Sequence, residues 1–200
     1  MVTPVRRRGV DRHEAILAAA RRCFAERGVR GTGIEDVRRA AGASPSSLYH
    51  LFGGMEDIVA QLLTRTFEDL FARLGAASAA APSAERAVDA LVRGHVRWVL
   101  EEPDAARFMY EATSLRFTGA AADAVAAGKT AAIGPVVAAL QPFVRSGELP
   151  AWPIAQLEIV MMGPAHEACR RVLAGAALPT AWLVDELPRI AWRSLRAADS

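Results

Sequence analysis

No stretch of this 200-residue sequence alternates apolar and polar residues with period two over a useful length. Apolar residues instead return every three or four positions almost throughout. That spacing stacks side chains on one face of a helix and would scatter them over both faces of a strand. The expected fold is therefore all-α, and the glycines and prolines divide it into about nine helices.

The first helix is predicted from Asp11, with Glu14 three residues on as in a capping box, and it ends before Gly28. The second starts at Thr32, again with an acid, Glu35, three residues later, and ends at Gly42. The third is capped by Ser44, has Pro45 at its first position, and stops at the Gly53-Gly54 pair. A fourth carries Val59, Leu62, Leu63, Thr66, Leu70 and Leu74 and is expected to break across 75–84. A fifth shows Val88, Leu91, Val92, His95, Trp98 and Val99 on one face, and a sixth starts at Pro103. The segment 118–128 is ambiguous between loop and helix. A seventh covers about Lys129 to Arg145 with a bend at Gly134-Pro135, and an eighth about Pro153 to Leu173. A ninth begins near Thr180, with a kink or late start at Pro188.

Charge is unevenly spread. Residues 1–50 hold ten Arg against five acids, while the remainder holds fourteen bases against seventeen acids. A basic first quarter on a slightly acidic body fits contact with a polyanion, or simply a solvated charged face. The two cysteines, Cys23 and Cys169, sit in apolar helical patterns and read as buried thiols in a reducing compartment. No apolar segment follows the basic start "MVTPVRRRGV", and purely apolar runs fall short of the ~20 residues that span a bilayer. The expectation is a soluble, cytoplasmic protein.

The third helix has room for only about two turns, too few to be stable alone because nucleation outweighs the bonds gained. Neighbouring helices must hold it through Leu48 and Leu51, with Phe52 following. Its other face then presents Pro45, Ser46, Ser47, Tyr49 and His50. Helix, glycine-containing turn and second helix make a helix-turn-helix, whose second helix enters the DNA major groove N-terminus first. Its free N–H groups also suit phosphate.

The segment "AILAAARRCFAERGVRGTGIEDVRRAAGASPSSLYHLFGGMEDIV" resembles the DNA-binding domain of the TetR family of bacterial transcriptional regulators. The likeness covers about a quarter of the chain and rests on an ordered set: Gly28, Thr32, the turn 41–44, Leu48-Tyr49-His50 and Phe52. It implies that Thr32 and Gly33 meet phosphate at the start of helix two. Ser44, Pro45, Ser46 and Ser47 would line the groove, and Tyr49 and His50 would grip the backbone beside it. Met55 stands where the family usually has a phosphate-gripping Lys, leaving the N–H groups near Gly54 to act without a cation. Arg38 and Arg39 either compensate or face solvent. Arg6, Arg7 and Arg8 form a basic arm that either contacts DNA or is disordered. The recognition helix has no Arg, Asn or Gln, so the strongest bidentate base contacts are absent from it and DNA shape is expected to matter.

The resemblance further implies two domains, a helix-turn-helix at 10–54 and a helical ligand-binding and dimerisation domain at 55–200. The chain would be a ligand-responsive regulator, a repressor, that binds a pseudo-palindromic operator as a homodimer and is released by a hydrophobic small molecule. Candidate ligand contacts are His95, Trp98, Met109, Glu111, Phe117, Met161, Met162 and His166. Each apolar one also reads as ordinary core. The candidate dimer surface is Trp182, Leu183, Leu187, Ile190, Ala191 and Leu195, with Trp192 beside it. Two alternatives stay open: a constitutive DNA-binding protein without ligand, and a helical-bundle enzyme using Glu111 and His95. No cofactor or metal is expected. "HEACR" at 166–170 begins like a zinc-protease helix but has Arg170 where the second His belongs.

Overall fold

The basic segment ahead of Asp11 is already helix: α1 runs Pro4–Arg27. Asp11 lies inside it and does not cap it. Proline suits a first helical position and Arg is a good helix former, so nothing in the segment stops the helix. The structure, a computed structural model, describes the backbone of residues 4–197 and the side chains of residues 10–196. The side chains of Arg6, Arg7 and Arg8 lie outside the described residues.

After α1 come α2 (Ile34–Ala40), α3 (Pro45–Leu51), α4 (Met55–Ala79), α5 (Ala84–Glu101), α6 (Pro103–Thr113), α7 (Gly119–Arg145) and α8 (Ile154–Leu173). A π-helical turn, Trp182–Glu186, leads into α9 (Leu187–Ala197). Among the described residues there is no strand, so the all-α expectation holds.

Several boundaries differ from the expected ones, each for a local reason. α2 starts one residue later than its Thr32/Glu35 pattern suggests: Gly33 is the N-cap, and its N–H donates to Asp36 Oδ2 at 2.9 Å. α4 does not break at Gly75. That glycine sits inside the helix at a point where an added Cβ would lie 2.6 Å from Pro135 Cβ on α7. α7 begins at Gly119, well before Lys129, and absorbs both Pro135 and Pro142. The Ala-rich segment that reads ambiguously has the propensity to extend it. By length and composition alone α7 could span a bilayer; its buried residues are Ala132, Val136, Ala139 and Leu140. The π-helical turn falls just ahead of Pro188, whose missing N–H and ring disfavour a regular i→i−4 ladder there.

The helices form two compact units. The first is Met1–Thr66 with Arg107–Ala127; the second is Phe67–Ala106 with Gly128–Ser200. The unit built on the helix-turn-helix thus takes in 107–127, which the sequence division at 54/55 leaves with the rest. Within it Phe108 of α6 stacks on Phe24 of α1, ring centroids 5.4 Å apart. Glu14 of α1 and Arg65 of α4 form a bidentate pair at 2.6 and 2.7 Å, and this arginine holds the Glu14 carboxyl down at about 2. In the second unit α5 and α8 pack on α9, burying Leu91, Val92, Val96, Leu183, Leu187 and Leu195.

The close approach of α4 and α7 sets two effects against each other at Gly75. Alanine is the better helix former by about 1 kcal/mol, yet its methyl would meet Pro135. Overpacking should win. Gly75→Ala is expected to lower stability by about 1–3 kcal/mol in urea denaturation; a gain in stability would show that the contact is loose.

Candidate nucleic-acid interface

α3 is fixed from below and capped from its own sequence. Ser44 accepts the Ser47 N–H on its hydroxyl at 3.2 Å, and Pro45 occupies the first turn. Leu48 and Phe52 are 1% exposed, which anchors a seven-residue helix that could not persist alone. His13 of α1 stacks on Phe52 with centroids 4.6 Å apart. On the preceding turn, Arg38 bridges Glu35 and the Ala43 carbonyl, donating at 2.7 and 3.0 Å, so α2 and α3 are held at a set angle.

The opposite face is open. Ser44, Pro45, Ser46, Tyr49 and His50 are exposed, and Tyr49 retains 57% of its surface. Among the described residues neither the Tyr49 nor the His50 side chain makes a hydrogen bond. Ser47 is half-buried and accepts from Arg12 Nε at 3.3 Å, a tie between α1 and α3 that no local pattern announces, since the two lie 35 residues apart. The groups left to meet a ligand are a proline ring, a serine hydroxyl, a phenol and an imidazole along about two turns.

The flanking positions read differently from expectation. Thr32 is 7% exposed, and its hydroxyl donates inward to the Gly28 and Cys23 carbonyls at 2.8 and 3.2 Å. It shapes the turn before α2 and does not present its hydroxyl to phosphate. Gly33 is exposed, but its N–H is taken by Asp36; that bond, then Arg27, keeps the Asp36 carboxyl below its usual range. At the start of α4 Asp57 accepts the Gly53 N–H at 3.1 Å, and Glu56 accepts the Thr118 N–H. This helix end, with half-buried Gly54 and Met55, is therefore neutralised by its own acids and suits phosphate poorly. Arg39 is 69% exposed and paired with Asp36 at 2.8 Å. Arg21, Arg22 and Arg30 are exposed as well.

Residues 16–62 match the family model described as "Bacterial regulatory proteins, tetR family". This segment of the chain is therefore similar to the DNA-binding domain of TetR-family regulators. Among curated relatives, the HTH-type transcriptional repressor KstR2 of Rhodococcus jostii is 36% identical over 81 residues, 40% of each chain. The chain thus matches less than half the length of that relative. The TetR-type fold extends further. The structure of the regulator FadR from Bacillus subtilis, in complex with stearoyl-CoA, matches with a TM-score of 0.73 at 14% identity, over 90% of this chain and 98% of that one. AibR, in complex with isovaleryl coenzyme A and operator DNA, matches with a TM-score of 0.68 at 15% identity, over 88% and 96%. Within the matched segment α3 holds the second position of the helix-turn-helix.

The candidate ligand residues divide between the units. Met109, Glu111 and Phe117 belong to the first; His95, Trp98, Met161, Met162 and His166 belong to the second. Glu111 is not a free polar anchor: its carboxylate accepts the Val29 N–H at 2.7 Å. In the second unit His95 is 1% exposed, with the His166 ring edge-on at 4.6 Å and Trp98 tilted at 6.0 Å. Lys129 and Glu158 lie 3.5 Å apart in the same unit and both influence His166. Burial first, then His166, pushes His95 down to about 3 from 6.5, and burial likewise lowers His166. So weak a base does not suit acid–base catalysis near neutral pH, and with Glu111 committed elsewhere the proposed catalytic pair has no support.

The dimer candidates also change. Leu183, Leu187, Ala191 and Leu195 are 1–2% exposed within the single chain, because α9 packs on α5 and α8 with that face. They cannot also form an outer surface. Ile190 and Trp192 are half-buried, while Trp182 is 41% exposed. Ile154 and Ile159 of α8, missed from the sequence because they fall in an otherwise core-like run, are 39% and 69% exposed.

Because the folded chain holds His95 and His166 neutral, the unfolded chain binds more protons once pH falls below about 6.5. Stability should be insensitive to these groups above that pH. It should then fall as pH drops toward the lower folded value. The interval from about pH 6.5 to 5 isolates this effect from ordinary carboxylates. Urea midpoints across it are expected to decline, and His95→Gln to flatten the decline; an equal slope in the variant would contradict the assignment.

Proposed function

We propose that this chain is a transcriptional repressor that binds duplex DNA as a homodimer through α3 and is released by a hydrophobic small molecule. The observation that carries the reading is the two-faced α3: Leu48 and the following Phe52 are buried, while Pro45, Ser46, Tyr49 and His50 stand open. Such a helix is a rigid probe of small and hydrogen-bonding groups, of the size a major groove admits. Without an Arg, Asn or Gln on it, base discrimination falls to van der Waals contact and DNA shape. One such module gives limited contact, so a symmetric pair reading a pseudo-palindrome fits. Trp182, Ile154 and Ile159 are exposed apolar groups of the second unit that a partner copy would cover.

KstR2's name as a repressor supports the direction of control. FadR and AibR were each seen with an acyl-coenzyme A, so thioesters of this class are the first effectors to try. The second unit's interior offers Met161, Met162 and Trp98 with few polar groups, in keeping with an apolar effector. The chain would act in the cytoplasm, where operator DNA is found.

The test uses a duplex selected by the protein from a random-sequence pool and read by fluorescence anisotropy. Tyr49→Phe and His50→Ala are expected to weaken binding and, where a phosphate contact is lost, to flatten the salt dependence by about one unit of slope. Stability should stay within about 0.5 kcal/mol, since both side chains are exposed. An effective acyl-coenzyme A should weaken binding by about 5–150-fold. Unchanged affinity in both variants would remove α3 from the interface, and indifference to every chain length would remove this effector class.

A further inference from the structure

The turn that leads from α1 into α2 is held from outside the helix-turn-helix. Gly28 has φ +73°, the left-handed conformation that closes α1, and its N–H donates to the Phe24 carbonyl at 2.9 Å. The next residue, Val29, is buried, and its N–H donates 2.7 Å to Glu111 Oε2 across 82 residues of sequence. The carboxylate lies close over the turn: a Cβ added to Gly28 would stand 3.0 Å from one of its oxygens and 3.3 Å from the other. One turn earlier on α6, Phe108 stacks on Phe24 of α1. From inside the turn, the Thr32 hydroxyl ties the Gly28 and Cys23 carbonyls. Just beyond α6, the Thr118 N–H donates to Glu56 at the start of α4. The segment 107–127 therefore grips the helix-turn-helix at both of its ends, by charged hydrogen bonds that water would otherwise contest.

We propose that Glu111 is a positioning residue for DNA binding: by accepting the Val29 N–H it fixes the turn before α2, and through α2 the pose of α3, without touching DNA. The assignment rests on the DNA-binding reading and adds to it a point of control. The acceptor sits on α6, so any change that withdraws α6 leaves a buried N–H unsatisfied and releases the turn. The fraction of molecules with α3 correctly placed then falls, and apparent affinity falls in proportion. A carboxylate bond to a buried donor is strong enough for its loss to reach about tenfold in affinity.

Glu111→Ala should weaken binding to the selected duplex by about tenfold. Glu111→Gln, whose amide oxygen still accepts, should stay within about threefold of the unaltered protein. The salt dependence should be the same in all three, because no phosphate contact is altered. The Val29 amide should exchange with deuterium faster in Glu111→Ala but not in Glu111→Gln. Should Glu111→Ala fail to fold, Glu111→Asp, whose side chain is one methylene shorter, draws the carboxylate back from the Val29 N–H and is expected to weaken binding in the same direction. Equal affinity in Glu111→Ala, or equal loss in Glu111→Ala and Glu111→Gln, would overturn the assignment while leaving DNA binding intact. If the unaltered protein selected no duplex at all, the DNA-binding reading would fall and the assignment with it.

Discussion

The burial of Leu48 and Phe52 is the constraint on which the rest depends. A helix of seven residues has no stability of its own, so its direction, its angle to α2 and the groups it turns outward are all set by what lies beneath it. With those two side chains seated, Tyr49 and His50 can only face solvent. The Ser44 cap and Pro45 fix where the helix starts, and the Arg38 bridge to the Ala43 carbonyl fixes the turn before it.

Around that anchor the polar interactions sort into two kinds. Some complete the helix-turn-helix internally, as when the buried Thr32 hydroxyl satisfies two carbonyls or Asp36 caps α2. Others reach in from distant sequence: Glu111 to Val29, Glu56 to Thr118, Arg65 to Glu14. The second kind makes the compact unit larger than its motif. It also explains why residues that look like ligands or phosphate contacts turn out to be structural. A carboxylate beside an unpaired N–H will satisfy that N–H first.

What could be read from the sequence follows from the range of the forces involved. The all-α class, the α3 cap, the Leu48/Tyr49 division of faces and the buried cysteines are products of local periodicity and capping, and all are legible. The misread boundaries came from tertiary contacts. Gly75 reads as a breaker, but its missing Cβ serves the approach of Pro135; Thr32 reads as a cap, but its hydroxyl turns inward. Leu183, Leu187, Ala191 and Leu195 show an apolar stripe, and periodicity cannot say whether a stripe meets the chain's own α5 and α8 or a second copy. The Arg12–Ser47 and Glu111–Val29 ties join residues 35 and 82 apart, and no spacing rule reports such pairs.

Everything proposed here requires that the solvent face of α3 be the surface that meets duplex DNA. The most direct measurement is the change in backbone amide NMR shifts when a selected duplex is added to the uniformly labelled protein. The largest changes are expected at Ser46, Ser47, Tyr49 and His50, with Leu183 and Leu187 in the second unit little affected. Shifts concentrated away from α3, or none at saturating duplex, would contradict it.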